Sequence, residues 1–339
     1  MARVLVTGGA GYIGSHAVRA LVDAGHLVAV LDNLSAGHAK AVPDGVSLVE
    51  CSMHDTLRVV QALEEHRADA VMHFAAWLDV AASVSDPLGY YYNNVTGTLS
   101  VLDAMRRVGV KQFIFSSTCA TYGEPIRVPM DESLDPRPIN AYGQTKLAVE
   151  RALPHIERAH GIRFVALRYF NAAGAHPDGT IGEDHTPEIH LIPRALDAAS
   201  GGAPLKVFGE DYPTPDGTCL RDYIHVSDLA DAHVRALDAL GGGSASGVFN
   251  VGTGTPHSVR EMIAAVSDVV GRPVQWLPAP RRQGDPAALY ASSDRIQKAL
   301  GWRPEFPHIR TIVEHAWRWH STHPRGYDDQ PAAVERGRK

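Results

Sequence analysis

With 339 residues, 45% hydrophobic and 21% charged, and a formal net charge of −6, the chain holds enough material for two lobes or one large domain. Its slight acidity gives no reason to expect nucleic acid or an anionic membrane as partner, and no stretch approaches the roughly 20 apolar residues of a membrane span. Cys51, Cys119 and Cys219 are odd in number and form no CxxC pair, which excludes a disulfide framework and a thiolate metal site and points to a reduced, cytoplasmic setting. The first residues lack the basic, apolar and cleavage-site order of a secretory signal. Their apolar run reads as a strand.

That strand begins at Val4, ends in Thr7 and opens into Gly8, Gly9, Gly11 and Gly14, with Tyr12 and Ile13 starting a predicted helix. Small residues at such a turn let the backbone pass close to a pyrophosphate, whose charge the helix N-terminus faces. The next predicted strand, 27–31, leads to Asp32. A carboxylate there suits the two hydroxyls of an adenosine ribose and repels the additional phosphate of NADP. Strand, glycines, helix, strand and acid in this order predict a dinucleotide site, with NAD as the cofactor.

Further strands are predicted at 46–50, 70–74, 111–115 and 163–168, and helices at 57–63, 88–107 and 141–160, with Gly109 a C-cap. This alternation predicts an α/β fold with a Rossmann-like, doubly wound parallel sheet over residues 1–175. Ligands of such sheets lie outside the carboxyl ends of the strands, where Asp32, Phe74, Thr118 and Tyr169 fall. Beyond residue 172 the alternation fails, and Pro, Gly, Asp and His dominate up to residue 187. A helix is expected from 192, a strand-like run at 221–226, a helix at 226–240, a strand-like run at 248–252 and a helix at 258–270. Residues 176–325 are therefore expected to form a smaller mixed α/β substrate-binding lobe, with a segment near 221–240 interleaved into the first. Residues 326–339 are expected to be a flexible tail, loosening from Thr322 onward. Eighteen histidines are many, but none stands in HExxH, and even His176, His185 and His190 in one loop region are read as surface and polar-core residues. No metal site is expected.

Tyr142 and Lys146 stand four apart on one predicted helix and so share a face. A free tyrosine titrates near ~10, and a neighbouring ammonium or a positive nicotinamide favours its phenolate. Ser116, Ser117 and Thr118, at the end of the strand before that helix, are candidates to hold a substrate hydroxyl. In isolation the pair is two residues on an amphipathic helix. Downstream of a dinucleotide site it points to NAD-linked oxidation of a secondary alcohol.

The phrases Thr7-Gly-x-x-Gly-x-x-Gly14, Phe115-Ser-Ser-Thr118 and Tyr142-x-x-x-Lys146 resemble the extended short-chain dehydrogenase/reductases. With Arg168-Tyr-Phe-Asn171, Arg221-Asp-Tyr-Ile-His-Val226 and Arg281-Arg-x-Gly-Asp285, the resemblance narrows to the UDP-glucose 4-epimerase (UDP-galactose 4-epimerase) family. It runs over nearly the whole chain, to about Tyr327. It implies interconversion of UDP-galactose and UDP-glucose, in galactose metabolism, through a 4-keto sugar with a resident NAD. Tyr142 would take the proton of the 4-hydroxyl, Thr118 would hydrogen-bond to that hydroxyl, and Lys146 would tune Tyr142 and bind the nicotinamide ribose. NAD would be held by Gly8, Gly11, Tyr12, Ile13, Gly14, Asp32, Asn33, Ser52, Met53, Phe74, Ala75, Ala76, Asn93, Ser116, Tyr142, Lys146 and Tyr169. The UDP-sugar would meet Thr118, Asn171, His190, Leu191, Val207, Phe208, Arg221, Tyr223, Arg282, Asp285 and Leu289. Arg221 and Arg282 offer planar forks to its phosphates.

The resemblance further implies a homodimer joined by two helices from each subunit, here those near 88–107 and 141–160. The chain departs from the family at three places. Ser52 replaces an aspartate that reads adenine, with Asp55 a possible substitute. Leu78 replaces a lysine, and Leu289 stands where the family gates the sugar's 2-substituent. UDP-N-acetylhexosamine and UDP-xylose/UDP-arabinose thus stay open as substrates. A sugar-nucleotide dehydratase would need carboxylates where Cys119 and Ala120 stand. A non-catalytic NAD-binding regulator would not need Thr118, Tyr142 and Lys146 together.

Overall fold

The apolar runs of the first half are too continuous for a sheet wetted on one face, and all but the one at 46–50, which becomes a half-exposed edge strand, are covered on both. A computed structural model describes residues 1–282 and 285–329. In the first half it has β1 (Arg3–Thr7), α1 (Tyr12–Asp23), β2 (Leu27–Asp32), β3 (Ser47–Glu50), α2 (Thr56–His66) and β4 (Ala70–His73). There follow α3 (Val80–Ser85), α4 (Pro87–Tyr90), α5 (Gly97–Val108), β5 (Gln112–Thr118), α6 (Ala141–His160) and β6 (Arg163–Tyr169). The second half begins with β7 (Asn171–Ala173), α7 (Leu191–Ala199), β8 (Leu205–Phe208), β9 (Leu220–His225) and α8 (Val226–Gly241). It continues with β10 (Gly247–Val251), β11 (Pro256–Ser258), α9 (Val259–Val270), β12 (Trp276–Ala279), β13 (Ala288–Leu289), α10 (Asp294–Leu300) and α11 (Ile309–Thr322).

Seven parallel strands form the main sheet in the order β10-β6-β5-β4-β1-β2-β3. Strand alternation sorts the core: Val4 and Val6 pack with Val18, Leu21, Leu229 and Leu237 from α1 and α8, while Leu5 packs with Leu63, Leu102 and Met105 from α2 and α5. Thus α8, which follows a strand of the second lobe, returns to cover the first. So does β10, which pairs with β6 and lies beyond the segment expected to interleave. A third core, around Ile192, Val207, Tyr223, Met262 and Ile312, belongs to the smaller lobe.

Two local expectations change. The helix read at 88–107 is a rod interrupted by a π-helical turn, Tyr91–Thr96, the kind of bulge that often marks a functional site. That turn presents Asn94, whose side chain clamps Trp77 through both its backbone N–H (2.8 Å) and its carbonyl (3.0 Å). Loosening from Thr322 is not what the structure has up to residue 329. α11 runs through Thr322, and Gly326–Asp329 forms a 3-10 turn whose Tyr327 is buried and stacked on His38 with ring centroids 5.0 Å apart. Residues 330–339 of the expected tail lie outside the described residues.

A buried polar knot ties α6 to the sheet. Glu150 accepts from Arg168 Nε at 2.9 Å and Nη2 at 2.5 Å, and from Ser117 Oγ at 2.5 Å. The Arg168 guanidinium also lies over the Tyr122 ring, 4.8 Å from its centroid.

His16, His73, His225 and His233 are each at most 2% exposed. Burial lowers His16 and His233 to about 4 and His73 and His225 to about 3. These folded-state values lie below the ordinary 6.5, so the unfolded chain binds up to one more proton per group as pH falls from about 6.5 toward 3–4. Stability is therefore full above pH 6.5 and lost below it. Thermal melts should fall steadily from pH 7 to pH 4.5, and a flat melting temperature over that range would contradict the assignment.

Candidate active site

The turn from β1 to α1 holds two glycines that nothing larger can replace. Gly8 has φ +72°, and a Cβ there would stand 2.4 Å from the Ala75 backbone nitrogen. A Cβ on Gly14 would stand 2.0 Å from the Gly8 carbonyl oxygen. Gly8→Ala should therefore introduce strain of about 1–3 kcal/mol plus a backbone clash, read as a lower urea midpoint together with loss of bound dinucleotide. An unchanged midpoint would show the turn to be slack. At the end of β2, Asp32 accepts from the Ala10 N–H at 3.0 Å and the Leu34 N–H at 2.9 Å. Each oxygen is thus fixed by one backbone donor and keeps acceptor capacity for the two ribose hydroxyls.

Behind the turn, His73 bridges β1 to α5. Thr98 gives its hydroxyl proton to the Asn94 carbonyl (2.6 Å), so His73 Nε2 carries hydrogen and donates to Thr98 Oγ1 (2.9 Å), while Nδ1 accepts from Thr7 Oγ1 (2.6 Å). The imidazole is neutral, and its job is to hold strand ends together beneath the cofactor turn.

The end of β5 supplies the hydroxyls, and strand alternation divides them. Ser117 points away from the cleft to Glu150. Ser116 and Thr118 line the cleft, with Ser116 Oγ 2.5 Å from the Tyr169 hydroxyl. Asn140 caps α6 by accepting from Gly143 N at 2.8 Å, and this sets the first turn from which Tyr142 enters the cleft. One turn on, Lys146 is 3% exposed and donates to the Ser116 carbonyl at 2.8 Å. Burial lowers its ammonium to about 7, with Glu150 opposing. Tyr142 departs from the simplest expectation. Burial, reinforced by Tyr169, raises its phenol well above the ordinary value, and only the Thr118 hydroxyl pulls the other way. The Lys146 ammonium is aimed at the Ser116 carbonyl and not at the phenol. A positive charge beside the ring would favour the phenolate.

One cleft of about 410 Å³ gathers these groups. Gly8, Gly11, Tyr12, Ile13, Gly14, Asp32, Asn33, Ser52, Met53, Phe74, Ala75, Ala76, Asn93, Ser116, Tyr142, Lys146 and Tyr169 all line it. Glycine turn, doubly anchored carboxylate and the Tyr142–Lys146 end lie along one surface, which fits a nicotinamide dinucleotide. From the opposite lobe Asn171, His190, Arg221, Asp285 and Leu289 join Thr118 on the wall. Arg221 is ion-paired with Asp285 there and donates Nη1–H to the Leu220 carbonyl at 2.7 Å.

Other sequence candidates do not reach the wall. Val207 (1% exposed) and Tyr223 (4%) are buried in the second-lobe core, against which Leu191 packs. Phe208 lies under the Arg282 guanidinium, 4.0 Å from its ring centroid. Asp55, the possible substitute for an adenine reader, instead caps α2 by accepting from Arg58 N at 3.1 Å. Ser52 and Leu78 do line the cleft, as do Trp77, Ile139, Asn140 and His185, which sequence reasoning missed. Asn140 alone had a legible signal, an N-cap residue directly before a helix.

Residues 4–252 match the profile of the NAD dependent epimerase/dehydratase family. A UDP-glucose 4-epimerase of Halalkalibacterium halodurans is 50% identical over 328 residues, spanning 96% of this chain and 98% of that relative. Among solved structures, UDP-glucose 4-epimerase from Brucella ovis in complex with NAD has a TM-score of 0.91 at 48% identity, covering 94% of this chain and 98% of its own. The enzyme from Bifidobacterium longum in complex with NAD+ and UDP has a TM-score of 0.90 at 37% identity, covering 95% and 99%.

Proposed function

The chain belongs to the NAD dependent epimerase/dehydratase family, and from that premise we propose that it interconverts UDP-galactose and UDP-glucose by 4-epimerisation through a 4-keto sugar. The observation that carries this is the shared cleft, which sets Thr118, Tyr142 and Lys146 between a dinucleotide turn and the Arg221–Asp285 wall. Bound NAD supplies a hydride acceptor that later gives the hydride back, so the reaction is redox-neutral overall.

The chain's own residues do the rest. Thr118 orients the sugar 4-hydroxyl toward Tyr142, which holds its proton while the carbon is a ketone. Lys146, fixed on the Ser116 carbonyl, places positive charge beneath the cofactor side of the cleft. Arg221 offers its fork to the diphosphate by exchanging Asp285 for phosphate oxygens, and Asp285 is then free to accept from a uridine hydroxyl. Cys119 and Ala120 provide no carboxylic acid for an elimination.

Incubating the purified protein with UDP-galactose and no added NAD should yield UDP-glucose by proton NMR. No conversion would sink the reading. Leu289, half-buried on the cleft wall, sets the breadth for N-acetylated and pentose sugars. Comparing turnover of UDP-galactose, UDP-N-acetylgalactosamine and UDP-arabinose measures it.

The working unit in this reading is a homodimer. Leu88 (83% exposed), Tyr92 (62%) and Leu99 (42%) leave an apolar stripe along the rod of α4 and α5, beside α6. Gel filtration should give about twice the 36.5 kDa chain mass, and a monomer would contradict it. A cytoplasmic location agrees with the free thiols of Cys51, Cys119 and Cys219. Among the described residues no helix is long and apolar enough to cross a membrane.

A further inference from the structure

The irregular loop before α7 brings together Glu183, His185, Glu188 and His190, whose ligating atoms all lie within 4.8 Å of one another. The Glu183 side chain is 6% exposed and that of His185 13%, so the centre of the group is enclosed. His190 Nδ1 and His185 Nδ1 approach the same oxygen, Glu183 Oε1, at 2.5 and 3.3 Å. Neither approach has hydrogen-bond geometry. All three atoms are shut off from solvent without a hydrogen-bond partner among the described residues.

Buried polar atoms are rarely left so, and three of them converging on one point call for something at that point. Glu188 closes the ring, its oxygens 3.6 Å from His185 Nδ1 and 3.5 Å from His190 Nδ1. A tetrahedral zinc ion with bonds of about 2.0–2.2 Å holds its ligands roughly 3.4 Å apart, and three of the four histidine–glutamate contacts lie at 3.3 to 3.6 Å, with His190 Nδ1 to Glu183 Oε1 shorter at 2.5 Å. Two imidazoles with two carboxylates suit a borderline ion such as Zn²⁺, whereas Mg²⁺ and Ca²⁺ favour oxygen alone.

We propose that Glu183, His185, Glu188 and His190 bind one divalent ion of the zinc type. His190 is the residue that precedes α7, and His185 stands edge-on to the Tyr12 ring with centroids 6.2 Å apart. The ion therefore pins the loop between the second lobe and the dinucleotide turn. Sequence spacing hides the site, because Glu-x-His-x-x-Glu-x-His fits no helical metal motif and works only when the loop folds back on itself.

The test uses tag-free, full-length protein stripped with a chelator, dialysed and titrated with Co²⁺. One equivalent should bind with the visible absorption of a four-coordinate nitrogen–oxygen site, and one equivalent of Zn²⁺ should displace it. Glu183→Gln and His185→Gln should each weaken binding at least about tenfold. His315→Gln, which alters the separate His225–His315 pair, should leave binding unchanged. Circular dichroism reports whether each variant is folded, and if Glu183→Gln is not, His185→Gln decides. No uptake by the wild-type protein, equal uptake by both loop variants, or loss in His315→Gln would each overturn the proposal. The first outcome would leave the four residues as histidine–glutamate ion pairs.

Discussion

Tyr142→Phe should lower kcat by roughly 10²- to 10⁴-fold, with the NAD content of the purified protein unchanged. The substitution removes one oxygen from a ring that the cleft already encloses, so the α6 turn, its Asn140 cap and the Lys146–Ser116 contact keep their geometry. What disappears is the phenol placed beside Thr118 to take and return the substrate proton. Burial raises this phenol well above its ordinary value, so a positive charge beside the ring favours its function as a base. The variant should accordingly bind UDP-sugar with little change in KM while its turnover collapses. Steady-state kinetics with NAD quantified after acid release checks both halves. Unchanged kcat would remove Tyr142 from the role of base.

Glu150→Ala should cost about 3–5 kcal/mol of stability, the largest single-site loss expected outside the apolar core. Arg168 and Glu150 have side chains only 6% and 3% exposed, and each is the other's charge partner. Removing the carboxylate strands a guanidinium among Tyr122, β5 and β6, and takes the acceptor from Ser117 as well. The pair's own net worth is smaller than this loss, because two buried ions were desolvated to form it. A double variant, Glu150→Leu with Arg168→Met, should thus recover much of the stability lost by Glu150→Ala. Urea unfolding of all the variants measures it. A loss below about 1 kcal/mol for Glu150→Ala would mean that water reaches Arg168, since that is the range of an exposed pair.

The parts of the site legible in the sequence are those defined by near neighbours in the chain. The Gly8–Gly14 turn, Asp32 one strand later, and Tyr142 with Lys146 one helical turn apart all follow from local periodicity. The split between Ser117 and its neighbours Ser116 and Thr118 is a matter of strand alternation too, but the sequence leaves all three as candidates, and the contact of Ser117 with Glu150 is what separates them.

What stayed hidden depends on distant segments. Arg221 and Asp285 carry opposite charges 64 positions apart, and nothing local tells that they pair. Val207 and Tyr223 sit in strands whose buried face is chosen by helices α7, α9 and α11, so their side chains enter a core and not the cleft. Asp55 has the side chain of an adenine reader, but the helix start beside it claims the carboxylate first. Buried His73 is a polar-core histidine as expected, but composition could not tell that His185 and His190 converge with Glu183 and Glu188 once the loop folds back.

The position of β10 at the edge of the main sheet has a consequence for how the protein is made. Its partner, β6, ends at Tyr169, and β10 begins at Gly247. At about 5–20 residues per second, a ribosome needs roughly 4–16 seconds to deliver the intervening stretch. Throughout that interval β6 is an open edge, and for most of it, until α8 has been made, the apolar face carrying Val165 and Leu167 lacks the cover of that helix. The nascent first lobe is therefore unfinished although its dinucleotide turn has long emerged, and chains stopped before about residue 251 should be chaperone-bound or insoluble.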